Sequence, residues 1–92
     1  RQHKEAIEVL RRALETDPEL AEAHLLLGTA YAVENDPKRG AYHYEEFVYL
    51  RPKDPMTPAA VRILRSYYES TGTEPRRPLP DDGSSRVIRR GP

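Results

Sequence analysis

The chain has 92 residues, with 15 basic and 15 acidic side chains, three histidines and no cysteine. This length suits one small domain with little room for a deep catalytic cleft, and the balanced charge produces no net field toward nucleic acid or anionic lipid. The lack of cysteine excludes disulfides, thiolate nucleophiles and cysteine zinc sites. No apolar run approaches the roughly 20 residues that cross a bilayer, and the sequence leaves the compartment open, with the cytoplasm preferred.

The first predicted element is an amphipathic helix over residues 1–17. Its apolar side chains follow the i, i+3, i+4, i+7 spacing of one helical face, at Ala6, Ile7, Leu10, Ala13 and Leu14. Asp17 followed by Pro18 is typical of an N-cap and a first helical residue. A second helix is therefore predicted from Pro18 to Val33.

A third helix is predicted from Pro37 to Leu50. Asn35 tolerates the left-handed backbone that ends a helix, and Asp36 with Pro37 repeats the cap-then-proline pattern. Gly28 lies in the middle of the second helix, where glycine costs about 1 kcal/mol relative to alanine. A specific packing role has to offset that cost.

A shift of 34 residues superimposes the first predicted helix on the third. Six positions keep their structural type: Ala6/Gly40, Ile7/Ala41, Leu10/Tyr44, Ala13/Phe47, Leu14/Val48 and Pro18/Pro52. A period of 34 residues with two helices per unit is typical of tetratricopeptide repeats.

Residues 21–52 resemble one complete tetratricopeptide repeat. Seven residues stand at the positions of the family's pattern, which has leucine, small, tyrosine, small, aromatic, small and closing proline residues in that order: Leu27, Gly28, Tyr31, Gly40, Tyr44, Phe47 and Pro52. Phe47 is large where the family usually has alanine, and His24 replaces a bulky apolar residue. The resemblance implies that Gly28 faces Gly40 where the two helices cross most closely, so that packing offsets the helix cost of glycine.

The resemblance implies an all-α fold, an antiparallel helix-turn-helix solenoid fragment with a disordered C-terminal tail. Residues 1–18 are predicted to be the second helix of a truncated repeat, 19–54 a complete repeat, 55–72 a C-terminal capping segment with a helix over 57–70, and 73–92 a flexible tail rich in proline and arginine.

The two ends of this fragment are less regular than its middle. The first helix lacks a partner, so Ile7, Leu10 and Leu14 are expected to lack part of their cover, which indicates a piece of a longer array or cover by another chain. After the capping helix, the prolines at 75, 78 and 80 exclude a further helix. The tail has almost nothing to bury and is predicted to be disordered or extended. It is a solvated linker, a linear motif that docks on a partner, or a nucleic-acid contact.

Residues that could carry chemistry are scattered. The sequence has no nucleophile elbow, phosphate loop or HExxH motif, and His3, His24 and His43 do not form a metal-ligand pattern. His24 is expected to pack against the preceding helix and His43 to lie on the surface of the third. Glu45 and Glu46 are expected on the solvated face of that helix. The sequence therefore predicts no enzyme, no cofactor and no metal site.

Two surfaces are candidates for binding. The resemblance implies a groove lined by the first helices of successive repeats, and the residues that would line it are Glu22, Leu25, Thr29, Ala32 and Val33, with Arg62, Ser66 and Glu69 from the capping helix. Leu25 and Thr29 stand where family members that clamp chaperone tails use lysine and asparagine, so the groove suits a hydrophobic segment better than an acidic tail. Contact of Leu25 and Val33 with a neighbouring helix is the alternative.

The second candidate surface is a pair of tyrosines. Tyr42 and Tyr49 stand where the first helix has Glu8 and Glu15, 34 residues earlier, and tyrosine is enriched at interfaces. Packing of the two rings on the capping helix or on a returning tail is the alternative.

The leading functional prediction is a non-catalytic protein–protein interaction module that binds a peptide or helix of a partner protein, without nucleic acid and without membrane insertion. The alternatives are a self-association element, in which the uncovered first helix makes homo-oligomers, and an accessory domain of a larger protein.

Overall fold

A computed structural model describes residues 2–82 of the chain. Within that range the protein is all-α, with four helices in antiparallel packing: α1 Gln2–Thr16, α2 Ala21–Val33, α3 Pro37–Leu50 and α4 Thr57–Thr71. Helix α2 packs against α1 and α3, and α4 packs against α3. The predicted fold class is confirmed, and the helix bounds differ from the prediction mainly at the start of α2.

The start of α3 follows the sequence pattern. The Asp36 carboxylate accepts a hydrogen bond from the Arg39 backbone N–H at 3.2 Å, and Pro37 is the first helical residue. Asn35, which precedes them, has the left-handed φ of 64°. Side-chain capping and a preset proline φ make this boundary a local property of the chain.

The same reasoning is wrong at Asp17 and Pro18. The Asp17 carboxylate accepts a hydrogen bond from the backbone N–H of Glu19, two residues later. This contact is an Asx turn. The carbonyl of Pro18 lies 2.9 Å from Nε2 of His24. Helix α2 therefore begins three residues later than predicted, after Leu20, which makes no side-chain cap.

The core lies between α2, α3 and α4. Its largest fully buried side chains come from all three helices: Leu27, Phe47, Val48, Val61 and Leu64. Phe47, the large residue in place of the family's alanine, is 2% exposed and fills this space. In contrast, α1 contains no buried residue among those described, which confirms the expectation that its apolar face is incompletely covered.

The two central glycines allow α2 and α3 to approach. A Cβ on Gly40 would lie 3.0 Å from the carbonyl oxygen of Gly28, and a Cβ on Gly28 would lie 2.9 Å from a ring carbon of Tyr44. The predicted facing of the two glycines is therefore present as Gly40 against the Gly28 backbone. The residue that occupies the space beside Gly28 is the Tyr44 ring.

Helix α4 ends at Thr71 and is capped by Gly72, which has a left-handed φ of 70°. Residues 73–82, called the strap below, continue without regular structure and lie against α3 and α4. Leu79 packs on the core and Asp82 is 6% exposed, so this part of the predicted tail does bury side chains. The rest of that predicted tail lies outside the described residues.

Candidate functional site

The outward face of α2 is formed by Glu22, Leu26, Thr29 and Val33. All four are exposed, and the aliphatic side chains of Leu26 and Val33 are 55% and 57% exposed. Their spacing of four, three and four residues puts them on one side of the helix. Leu26 was absent from the predicted groove, although this spacing from Glu22 to Val33 includes it.

The other residues of the predicted groove lie at the edges of this face or on α4. Leu25 is half buried and packs on the core, which favours the alternative of an intramolecular contact for this residue. Ala32 is exposed. Arg62 and Ser66 are exposed on α4, a helix that packs on α3 and makes no close contact with α2 in the described part of the chain. The grouping of these α2 and α4 residues into one groove stays a prediction.

Thr29 is committed to an internal hydrogen bond. Its hydroxyl lies 2.9 Å from the Tyr44 hydroxyl and 3.3 Å from the Leu25 carbonyl oxygen. The bond to Tyr44 positions the ring that lies over Gly28. Thr29 thus links the outward face of α2 to the contact between α2 and α3.

A second surface runs along α3 through Tyr42, Glu45, Glu46 and Tyr49, named here the α3 stripe. The strap lies across it. Arg76 donates from Nε to a Glu45 carboxylate oxygen at 2.6 Å and from a terminal nitrogen to Glu46 at 3.0 Å. The same guanidinium lies 4.4 Å from the centre of the Tyr42 ring. One arginine therefore contacts two acids and one aromatic face of the stripe.

Glu45 and Glu46 are consequently not a solvated face, and that expectation is wrong. The Glu45 side chain is 4% exposed and that of Glu46 25% exposed. The periodicity of α3 could not reveal this, because the residue that covers them comes from 31 positions further along the chain.

The two tyrosines of the stripe differ in their surroundings. Tyr42 is 48% exposed. Tyr49 is half buried, its hydroxyl donates to the Arg77 carbonyl at 2.8 Å and accepts from the Arg77 N–H at 3.0 Å, and the Arg77 guanidinium lies 4.0 Å from its ring centre. Burial raises the pKa of the Tyr49 hydroxyl. A partner role for the pair stays a prediction, with the returning strap as the present neighbour of Tyr49.

Two histidines form a hydrogen-bonded pair between α2 and α3. Nδ1 of His24 lies 3.0 Å from Nδ1 of His43. His43 is half buried, stacks on His24 and Tyr31, and meets Tyr42 edge-on. The expectation that His43 is a surface residue is therefore wrong.

The hydrogen bonds define the tautomers of this pair. A carbonyl only accepts, so Nε2 of His24 carries its proton toward Pro18. When both rings are neutral, Nδ1 of His24 must then accept from Nδ1–H of His43. Burial, followed by the proximity of His24, lowers the pKa of His43 from 6.5 to about 4. This ring is neutral at pH 7 and serves packing.

A cleft of about 510 Å³ opens beside this pair. It is lined by Ile7, Arg11, Tyr31, Arg39, Tyr42 and His43. Arg39 is held by the Asp36 carboxylate at 2.6 Å. In the described residues no three histidine, aspartate or glutamate side chains are placed to hold a metal ion.

Residues 2–33 match a protein-family model described as the TPR (tetratricopeptide) repeat. The match covers α1 and α2, whereas the sequence places the complete repeat on residues 19–54, so the division of the chain into repeats stays a prediction. No curated protein and no solved structure matches the chain. None of the four described helices has the length and apolar content of a membrane span. Residues 2–33 are therefore similar to a TPR repeat, a kind of repeat that indicates protein partners.

Proposed function

We propose that this protein is a non-catalytic interaction module that binds an apolar peptide or helix of a partner protein on the outward face of α2. The observation that carries the proposal is the more than half-exposed pair Leu26 and Val33 on a helix that is packed on both neighbouring sides. Apolar side chains held on a rigid element present a preordered surface, which reduces the entropy lost on binding.

The physical case for a helical or extended apolar ligand is the spacing of the exposed residues. Leu26 and Val33 lie two turns apart, with the polar side chains of Glu22 and Thr29 on the same face. A partner side chain that covers the two aliphatic groups removes apolar area from water, which contributes about 25 cal/mol per Å². Ala32, which is also exposed on α2, extends this surface.

The proposal is tested by selecting displayed random peptides on the full 92-residue chain. Selected peptides are expected to lose at least tenfold in affinity for the variants Leu26→Glu and Val33→Glu. Val9→Glu is the matched control, because Val9 is 66% exposed on α1. Peptides that bind all three variants like the wild type would refute this face as the binding surface.

Self-association is a second candidate, favoured by the half-buried apolar face of α1. Ile7, Leu10 and Leu14 are each only partly covered by α2. Light scattering over a hundredfold concentration range separates the two functions. A constant monomer mass supports the binding module, and a mass that rises to a defined oligomer supports self-association.

A further inference from the structure

Comparison of the α3 stripe with its counterpart in α1 shows a change of charge. The 34-residue shift relates Tyr42, Glu45, Glu46 and Tyr49 to Glu8, Arg11, Arg12 and Glu15. In α1 the charges pair within the helix, since Arg12 donates to Glu8 at 3.1 Å. The α3 stripe instead presents two acids between two aromatic rings, so its neutralising cations have to come from another segment.

The strap supplies those cations in a specific arrangement. Arg76 fills the space between the two acids and Tyr42, while Arg77 lies over Tyr49. Arginine suits both contacts, because its planar guanidinium pairs with carboxylates and stacks on aromatic faces. The backbone N–H and C=O of Arg77 both bond the Tyr49 hydroxyl, which fixes the register of the strap on the helix.

The strap itself has the properties of an extended peptide ligand. Pro75 and Pro78 flank the two arginines, and proline favours an extended backbone that loses little entropy when it binds. Further contacts follow the arginines: Leu79 packs on the core, and the Asp82 carboxylate accepts from Arg65 at 2.6 Å. Side-chain contacts and main-chain hydrogen bonds therefore act together, as in peptide recognition between separate chains.

We propose that the α3 stripe, with the adjoining surface of α4, is a recognition site for an extended protein segment that carries two adjacent arginines between prolines. When no partner is bound, the strap occupies this site. A partner segment with the same arrangement of arginines and prolines displaces the strap. The site is separate from the outward face of α2, so this proposal and the proposed function can fail independently.

A tethered strap competes with an added peptide at an effective concentration in the millimolar range. The test therefore compares the full wild-type chain with the full chain carrying Arg76→Ala and Arg77→Ala. The probe is a dye-labelled peptide of residues 73–82, TEPRRPLPDD, and the control peptide is TEPAAPLPDD. Fluorescence anisotropy measures affinity, and NMR chemical-shift changes identify the residues contacted.

The variant chain is expected to bind the arginine peptide at least tenfold more tightly than the wild type, with the largest shifts at Tyr42, Glu45 and Tyr49. The control peptide is expected to bind at least tenfold more weakly. Tyr49→Glu introduces the residue type that α1 has at the equivalent position. Added to the double variant, it is expected to reduce binding of the arginine peptide, whereas Val9→Glu added to the same variant leaves that binding unchanged.

Equal binding of the two peptides, or no binding to the variant chain, would overturn the proposal. If the double variant does not fold, Arg77→Ala alone replaces it, because this change keeps the ion pairs of Arg76. A wild-type mass that rises with concentration and returns to that of the monomer in Arg76→Ala would assign the site to a second copy of this chain and overturn a separate partner.

Discussion

Replacement of Gly28 by alanine tests the close approach of α2 and α3. The new Cβ would lie 2.9 to 3.0 Å from three ring carbons of Tyr44, whereas an ordinary contact is 3.4–4 Å. The ring has to move by about half an ångström, and its far end is held by the hydrogen bond to Thr29. Overpacking of this kind costs about 1–3 kcal/mol, and the better helix propensity of alanine offsets about 1 kcal/mol. We expect Gly28→Ala to lower the free energy of unfolding by about 1 kcal/mol.

Gly40→Ala is expected to be the more damaging of the two changes. Its Cβ would meet the main-chain oxygen of Gly28 at 3.0 Å and the backbone nitrogen of Ala32 at 3.5 Å. A backbone atom moves only with its helix, so we expect a loss of about 2 kcal/mol. Gly28→Leu adds a whole side chain at the Tyr44 ring and is expected to unfold the domain.

Urea unfolding followed by circular dichroism measures these free energies, and a double-mutant cycle identifies the contact. In a chain that carries Tyr44→Leu, the ring is gone, so Gly28→Ala is expected to be neutral or stabilising. An equal loss in both backgrounds, or a smaller loss for Gly40→Ala than for Gly28→Ala, would refute the proposed packing. A chain with Gly28→Leu that melts within a few degrees of the wild type would do the same.

Three further predictions concern charged groups. The pKa of His43 is about 4 in the folded chain and about 6.5 in the unfolded chain, so the unfolded state takes up the proton first. The associated stability is present above pH 6.5 and lost as the pH falls toward 4. The whole shift represents about 3 kcal/mol, and we expect about 1–2 kcal/mol because the ring is half exposed. A wild type that loses no more stability on acidification than His43→Phe would contradict this. Arg76→Ala leaves the 4%-exposed Glu45 carboxylate without its arginine. We expect it to lower the free energy of unfolding in urea by about 1–2 kcal/mol, and the exposed control Arg12→Ala to lower it by less than about 0.5 kcal/mol. Equal losses of stability in the two variants would argue against the buried pair. Asp36→Ala removes the cap of α3 and is expected to lower the melting temperature, while Asp36→Asn recovers most of the loss; a melting temperature unchanged by Asp36→Ala would show that the cap is dispensable.

Features that depend on neighbouring residues follow from the sequence alone. Asp36 and Pro37 define the start of α3 through one side-chain hydrogen bond and one restricted φ angle, and Asn35 takes the left-handed conformation before them. Gly28 in α2 and Gly40 in α3 mark the contact between these two helices, because only glycine allows the two backbones to approach this closely. Such constraints act within a few residues or within one repeat, so they can be recognised from the sequence.

The loss of contact with water at particular polar residues depends on packing between distant segments. Glu45 and His43 have positions typical of a solvated helix face, yet the strap buries the former and α2 packs on the latter. Both contacts join residues 19 to 31 positions apart in the chain. Periodicity describes how one helix is apolar on one side, but it contains no information about which distant segment will cover the other side. The strap contacts on Tyr49 are of the same long-range kind, since they join residues 28 positions apart.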